Sequence, residues 1–389
     1  MASTTSLAGS LLSAEEKARY GRHLVLPEVG LRGQERLKEA RVLVVGTGGL
    51  GSPITLYLAA AGVGKLVLVD FDRVEESNLQ RQILFGQADV GRPKVEVAAE
   101  RLRGLNPWVE IDPRPVRFAP DNARELVESV DLVVDGTDNF PARYLINDAC
   151  VIFHRPFVYG SIYRFEGQVA VFATPDGPCY RCLFPEPPPD GLVPNCAEGG
   201  VLGVLPGMIG SIQASEAIKH LIGAGETLSG RLLIVDALSM RVREVRVPRD
   251  PHCPVCGSQP TIRELREEAM SCENLGGPLD PGEPAGEMTV EEFAALRQQL
   301  PGLQLIDVRM PQEWELARLE GAMLVPLPEL ASRVGELDPA APTVVYCHVG
   351  GRSAAAVRFL RGQGFDRIAN LSGGIEAWSQ RVDPSVPRY

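Results

Sequence analysis

Histidine is scarce in this chain, with five residues in 389, and His23, His154, His220 and His252 stand in no constellation with other reactive types. Each is read as structural or solvated rather than as part of a local histidine-based centre. Excess positive charge is also missing. The formal net charge of -11 argues against a sequence-independent grip on nucleic acid or on an anionic membrane. Long apolar runs are absent too. The most apolar stretch, Val201 to Ile218, is broken by Pro206, Ser211, Gln213 and several glycines, and suits a buried helix better than a membrane span. The opening residues, "MASTTSLAGSLLSAEEKARY", carry neither a basic n-region nor an apolar core of secretory length. A cytoplasmic protein with reduced cysteines is therefore expected. Tryptophan is limited to Trp108, Trp314 and Trp378, which read as packing residues.

What is present is a globular composition, 44% hydrophobic and 23% charged, over a length that calls for two or three domains. Residues Ser13 to Glu39 read as helical, broken near Pro27 and Gly30. From Arg41 buried strands alternate with helices: strands Val42–Val45, Lys65–Asp70, Glu110–Pro115 and Leu132–Asp135, and helices near Pro53–Ala61, Lys94–Leu105 and Asp121–Glu128. That alternation predicts a doubly wound, Rossmann-like α/β sheet. Further strands, Pro156–Gly160, Glu166–Ala173 and Arg231–Asp236, extend the first domain over 1–270. A Gly-, Pro- and acid-rich stretch, 271–287, reads as a flexible linker. A smaller α/β unit follows over 288–389, with helices Val290–Gln299 and Ser353–Gly362 and strands Leu303–Asp307, Val344–Tyr346 and Ile368–Leu371.

The stretch "RVLVVGTGGLGSP" is a glycine fingerprint at Gly46, Gly48 and Gly51, followed by Asp70 at the next strand end. On its own it fits NAD, FAD or adenosine equally. The residues after Asp70 discriminate. Asn78, Arg81 and Gln82 are expected on one short helix, and Lys94 opens the next. Cations here suit a triphosphate whose pyrophosphate departs, more than a dinucleotide already held by a helix N-terminus. Asp138, in "DGTDN" at a strand end, is placed to hold Mg2+.

Eight cysteines sort into distinct settings. "CYRC" (Cys179, Cys182) and "CPVCG" (Cys253, Cys256) have zinc-knuckle spacing, and together complete a closed, structural four-thiolate Zn2+ site. Two redox pairs are the weaker alternative, since Pro254 and Gly257 favour a knuckle turn. Cys150 reads as core, and Cys272 takes no assignment. Cys347 ends a buried strand in "TVVYCHVGGRSAAAVRFL", before a helix beginning near Arg352 or Ser353. Loop N–H groups and the helix dipole there favour a thiolate or a persulfide.

With "RYGRHLVLPEVG", "GTGGLGSP", "LVDFDRVEESNLQRQ", "PKVE", "DGTDN" and the two C-x-x-C pairs in order, the first domain resembles the ubiquitin-activating-like adenylyltransferases, the MoeB/ThiF group. The resemblance implies attack of a carrier protein's C-terminal glycine carboxylate on the α-phosphate of ATP, giving an acyl-adenylate and pyrophosphate. It implies that Gly49 and Asp70 bind adenosine and that Asn78, Arg81, Gln82 and Lys94 surround the phosphates. Asp138 would ligate magnesium with Asn139 beside it, and Arg22 would reach the ATP of a second subunit, hence a homodimer. It implies the same zinc site. Cys196, in "VPNCAEGG", matches a family cysteine proposed to form a thioester or disulfide with the carrier. "LIDVRMPQEW", "EGAMLVPL" and "LSGGIEAW" make the second domain similar to a single rhodanese domain, with His348 where an arginine is often found.

The whole chain resembles the fused, MoeZ-type adenylyltransferase/sulfurtransferases. That implies a small ubiquitin-fold carrier ending in Gly-Gly as partner and a persulfide donor such as a cysteine desulfurase. The pathway served is molybdopterin, thiamine, cysteine or tRNA thiolation, with no direct nucleic acid contact and no membrane. Two other readings are an NAD-dependent oxidoreductase fused to a sulfur domain and a non-catalytic carrier-binding scaffold.

Overall fold

A computed structural model describes residues 10–187, 200–266, 286–297 and 302–389. They divide into two compact units, 10–187 with 200–266, and 286–297 with 302–389.

The first unit is built on an eight-stranded sheet. Its strands are β1 (Arg41–Val45), β2 (Lys65–Val69), β3 (Glu110–Arg114), β4 (Leu132–Asp135), β5 (Phe157–Tyr163), β6 (Glu166–Phe172), β7 (Arg231–Asp236) and β8 (Arg241–Arg246), in the spatial order β3-β2-β1-β4-β5-β6-β7-β8. The first five pair in parallel, and β6, β7 and β8 continue the sheet antiparallel. Only Arg164 and Phe165 join β5 to β6. So short a connection makes a hairpin and has no room for the crossover that parallel strands require. β8 is exposed at every residue and closes the sheet as its edge.

Strand β1 shows why the central strands are apolar without alternation. Val42 and Val44 face a core shared with helices Gly51–Ala61, Lys94–Leu105 and Leu205–Ile222. Leu43 and Val45 face the opposite core, with helices Pro120–Glu128 and Phe140–Ile152. Both faces are covered, as a doubly wound sheet demands. β2 and β4 flank β1 with Val45 beside both Val69 and Asp135. The crevice outside the carboxyl ends of β1 and β4 lies where strand order reverses, the usual ligand position in such sheets.

The second unit has five parallel strands: β9 (Glu287–Met288), β10 (Gln304–Asp307), β11 (Met323–Leu324), β12 (Thr343–Tyr346) and β13 (Ile368–Leu371), in the order β11-β10-β12-β13-β9. Helices Gly351–Arg361 and Gly374–Arg381 follow β12 and β13. Two separate apolar clusters fill this unit.

Three local expectations are revised. Asn78, Arg81 and Gln82 do not share an α-helix, because only Glu76–Asn78 forms a 3-10 turn. The helix after Cys347 starts at Gly351, earlier than Arg352 or Ser353. Trp108 is 39% exposed, under the Arg19 guanidinium, so it is not a core residue. Among the described residues no helix is long and apolar enough to cross a membrane.

Candidate functional site

The glycine turn after β1 depends on backbone touching backbone. Gly46 has φ +87°, and a Cβ there would stand 2.7 Å from the Gly136 carbonyl oxygen. A Cβ on Gly51 would lie 2.0 Å from the Gly46 carbonyl oxygen. The turns after β1 and β4 therefore close on one another, and no side chain fits between them. Gly49 faces Pro206, with the Arg81 Cγ 3.8 Å from where its Cβ would be.

Asp70 follows β2 directly and is buried. Its Oδ2 accepts from the Thr47 N–H (2.8 Å) and Thr47 Oγ1 (2.9 Å), and its Oδ1 accepts from the Asp72 N–H at 2.9 Å. Burial pushes its carboxyl upward, opposed by Lys94 and by those N–H groups. Oδ1 keeps acceptor capacity for a further donor, the requirement for gripping a ribose hydroxyl. Lys94 is 5% exposed at the start of its helix, and its Nζ lies 2.8 Å from Asp72 Oδ2. Arg81 donates to the Ser77 carbonyl at 3.1 Å. Asn78 is buried, its Oδ1 accepting from the Glu75 N–H at 3.4 Å. Gln82 is buried, with its amide 3.4 Å from where a Gly48 Cβ would be and its Oε1 carrying no hydrogen bond. An orphaned buried acceptor beside a glycine turn is costly unless a donor arrives.

Beyond β4, the Thr137 N–H and Oγ1 hold buried Asp135 at 2.9 and 2.7 Å, and Arg143 Nε stands 3.4 Å behind it. Asp138 is exposed. Asn139 caps helix Phe140–Ile152, its Oδ1 accepting from the Ala142 N–H at 3.0 Å. A hard-cation site at Asp138 would therefore draw little from the Asn139 side chain. Gln213 donates to the Asp135 carbonyl at 2.7 Å and fixes this end of β4 from helix Leu205–Ile222. The Gly46–Gly51 turn and Asp70 thus lie together with Lys94, Arg81 and Gln82 at the carboxyl end of β1, and Asp138 follows β4 on its neighbouring side. Arg22 is exposed on the short helix Gly21–Leu24. Cys196 and Cys272 lie outside the described residues.

The four knuckle cysteines meet. Their Sγ atoms all lie within 4.8 Å of one another, with Cys179 to Cys253 at 3.5 Å, Cys182 to Cys256 at 3.3 Å and Cys179 to Cys182 at 3.9 Å. Tetrahedral zinc with four thiolates needs sulfurs roughly 3.8 Å apart. The N–H groups of Cys179 and Asp250 donate to Cys182 Sγ, each at 3.4 Å, the kind of outer-shell bond that steadies a ligating thiolate. The donor set fits Zn2+, and four protein thiolates would leave no open position on it, the arrangement of structural rather than catalytic zinc. Cys150 is fully buried apart from this cluster.

In the second unit Cys347 directly follows β12 and has no exposed surface. The Gly350 N–H donates to its Sγ at 3.1 Å, and Ser353 Oγ lies 3.4 Å away. Helix Gly374–Arg381 holds the loop from its N-terminus, with the Ile375 and Glu376 N–H groups donating to the Cys347 and His348 carbonyls at 3.0 and 3.1 Å. At the loop's other end, Arg352 makes two hydrogen bonds to Glu313, at 2.7 and 2.8 Å. Burial opposes ionisation of Glu313, yet Arg352 and the Met310 N–H keep it below the ordinary carboxylate range. Arg309 is fully buried on Asp307, donating through Nε to both carboxylate oxygens. Thr47, Gln213, Glu313 and Ser353 support these sites although none of them carries a site role in the sequence reading. Thr47 lies inside the glycine fingerprint and Glu313 inside "LIDVRMPQEW".

A family model described as the ThiF family matches residues 20–255, and one described as a rhodanese-like domain matches residues 289–381. The chain is 46% identical over 386 residues, 98% of its length and 97% of the relative's, to a probable adenylyltransferase/sulfurtransferase MoeZ of Mycobacterium tuberculosis. It is 56% identical over 263 residues to a sulfur carrier protein adenylyltransferase of Thermus thermophilus, covering 66% of this chain and 97% of that one. It is 42% identical to an adenylyltransferase and sulfurtransferase MOCS3 of Sus scrofa, over 97% of this chain and 89% of the relative. A crystal structure of E. coli MccB with ATP shares the fold at a TM-score of 0.55 and 22% identity, over 61% of this chain and 74% of that one. The chain belongs to the ThiF family, with a rhodanese-like domain as its second unit.

Proposed function

We propose that this chain adenylates the C-terminal glycine of a small ubiquitin-fold carrier ending in Gly-Gly and converts it into a thiocarboxylate with sulfur carried on Cys347. What carries the reading is one chain holding both a cation-lined nucleotide crevice and a cysteine in a cradle of donors, aligned end to end with relatives named for both activities. An NAD-dependent oxidoreductase leaves Lys94, Arg81 and the relatives unexplained. A non-catalytic scaffold leaves the donors on Cys347 unexplained.

In the first step the carrier carboxylate attacks the α-phosphate and pyrophosphate leaves. Gly49 and Asp70 receive the adenosine, and Asn78, Arg81, Gln82 and Lys94 surround the phosphates. Lys94 and Arg81 stabilise the charge that grows on the departing oxygens. Asp138 would hold Mg2+, which offsets phosphate charge when bound, with Asn139 beside it. Arg22 serves the nucleotide of a second subunit in a homodimer. In the second step the Cys347 persulfide attacks the acyl carbonyl and AMP leaves, so that an acyl disulfide forms. A second thiol, assigned to Cys196, attacks Cys347 Sγ and frees the thiocarboxylate, leaving a disulfide that cellular thiols reduce. The sulfur comes from a persulfide donor such as a cysteine desulfurase. The setting is cytoplasmic, and molybdenum cofactor synthesis is one pathway such a carrier serves. The stretch 271–287 acts as the linker between a first domain over 1–270 and a second over 288–389.

Carrier-dependent ATP–pyrophosphate exchange tests this. Exchange is expected with a Gly-Gly carrier in the native chain and in Cys347→Ala. In Asp138→Ala it should fall at least about a hundredfold, the scale of losing one transition-state electrostatic contact. No exchange with any such carrier would sink the adenylation step.

A further inference from the structure

The Cys347 loop is braced from a residue that none of the sulfur-site motifs contains. Tyr389 stacks its ring on His348, with centroids 4.6 Å apart and planes 29° apart. Its hydroxyl accepts from Arg309 at 2.5 Å and donates to Glu313 Oε1 at 3.2 Å. Glu313 is the carboxylate that grips Arg352. One side chain therefore touches His348, next to Cys347, and the partner of Arg352, five residues beyond it.

The segment that delivers Tyr389 is itself tied down. Ser379 Oγ donates to the Val386 carbonyl at 2.6 Å, and Arg388 donates to Glu376 at 2.6 and 2.9 Å. Glu376 also faces His348, 3.7 Å from its Nε2. The loop between His348 and Arg352 contains Gly350, at φ +102°, whose N–H reaches Cys347 Sγ. A glycine in that conformation has little of its own to keep the N–H aimed at sulfur.

We propose that Tyr389 is a positioning residue of the sulfur-transfer loop, bracing His348 with its ring and the Glu313–Arg352 pair with its hydroxyl, so that Gly350 N–H stays on Cys347 Sγ. Cys347 has no exposed surface, so a reagent reaches its sulfur only as the surrounding loop moves, and loosening that loop should speed the movement. The inference rests on the reading of Cys347 as the sulfur carrier.

The test is the pH profile of Cys347 alkylation by iodoacetamide in the full chain, followed on the Cys347 peptide by mass spectrometry. Native chain, Tyr389→Phe and Tyr389→Ala are compared. Removing the brace should raise the limiting rate at least about tenfold in Tyr389→Ala, since the ring stack and both hydroxyl hydrogen bonds are lost together. It should also move the apparent thiol pKa upward as the Gly350 N–H drifts from sulfur. Tyr389→Phe, which keeps the ring and loses the hydroxyl, should fall between. A pKa unmoved in both variants overturns the proposal, whatever happens to the rate. If Tyr389→Ala fails to fold, Tyr389→Phe alone decides.

A separate arm treats the native chain with glutathione persulfide. The Cys347 thiolate attacks the terminal sulfur, the donor S–S bond breaks, glutathione leaves as its thiol, and a new S–S bond forms at Cys347. Failure of that peptide to gain one sulfur atom removes the carrier reading, while the alkylation comparison still judges Tyr389 by itself.

Discussion

His348 and Glu313 couple the sulfur loop to acidity. Burial depresses His348 below its ordinary value of 6.5, with Glu376 opposing. Glu313 lies below its ordinary 4.5 because Arg352 and the Met310 N–H outweigh its burial. A histidine with a depressed folded value is favoured neutral, so its contribution is complete above 6.5 and is lost as pH falls through that value toward the folded one. Glu313 behaves the same way further down, losing its contribution below 4.5. Both signs agree, so the second unit should weaken in acid. In Trp108→Phe the remaining tryptophans, Trp314 and Trp378, report this unit alone. Its urea midpoint is expected to fall between pH 7 and pH 5. A midpoint that holds or rises at pH 5 would contradict the account.

Elements were legible where burial was two-sided and periodicity long. Strand Leu132–Asp135, helix Lys94–Leu105 and strand Ile368–Leu371 lie where their patterns put them. β8 went unseen because its residues are exposed throughout and their apolar members answer to no core. The turn carrying Asn78 was over-read as a helix, since three residues of 3-10 structure carry no 3.6-residue signature. The knuckle cysteines were legible from spacing alone, because a metal imposes a fixed geometry on the chain. Tyr389 could not be read at all. Its partners Arg309 and Glu313 lie 80 and 76 positions away, and only tertiary folding brings them together.

At the scale of the molecule, each unit has its own apolar clusters. Thermal unfolding of the full chain is therefore expected in two transitions, one per unit. The cysteine cluster lies entirely in the first. Stripping metal with a strong chelator should lower the first unit's transition by several degrees, because an ion held by four cysteines that only folding brings together favours the folded form. The second transition should stay put. A scan in which chelation moves both transitions equally, or neither, would argue against a structural metal confined to the first unit.

The backbone crossing at Gly46, Gly51 and Gly136 has a genetic consequence. Alanine at Gly51 would meet the Gly46 carbonyl, and alanine at Gly136 would meet that same oxygen at 2.5 Å. No codon change elsewhere can trim a carbonyl, so selection for restored function from either lesion should return true revertants only. Gly160 makes the opposite case. There a new methyl would meet the side chain of Gln213 at 2.2 Å, which mutation can shorten. Second-site suppressors of Gly160→Ala should therefore appear, and should cluster at codon 213.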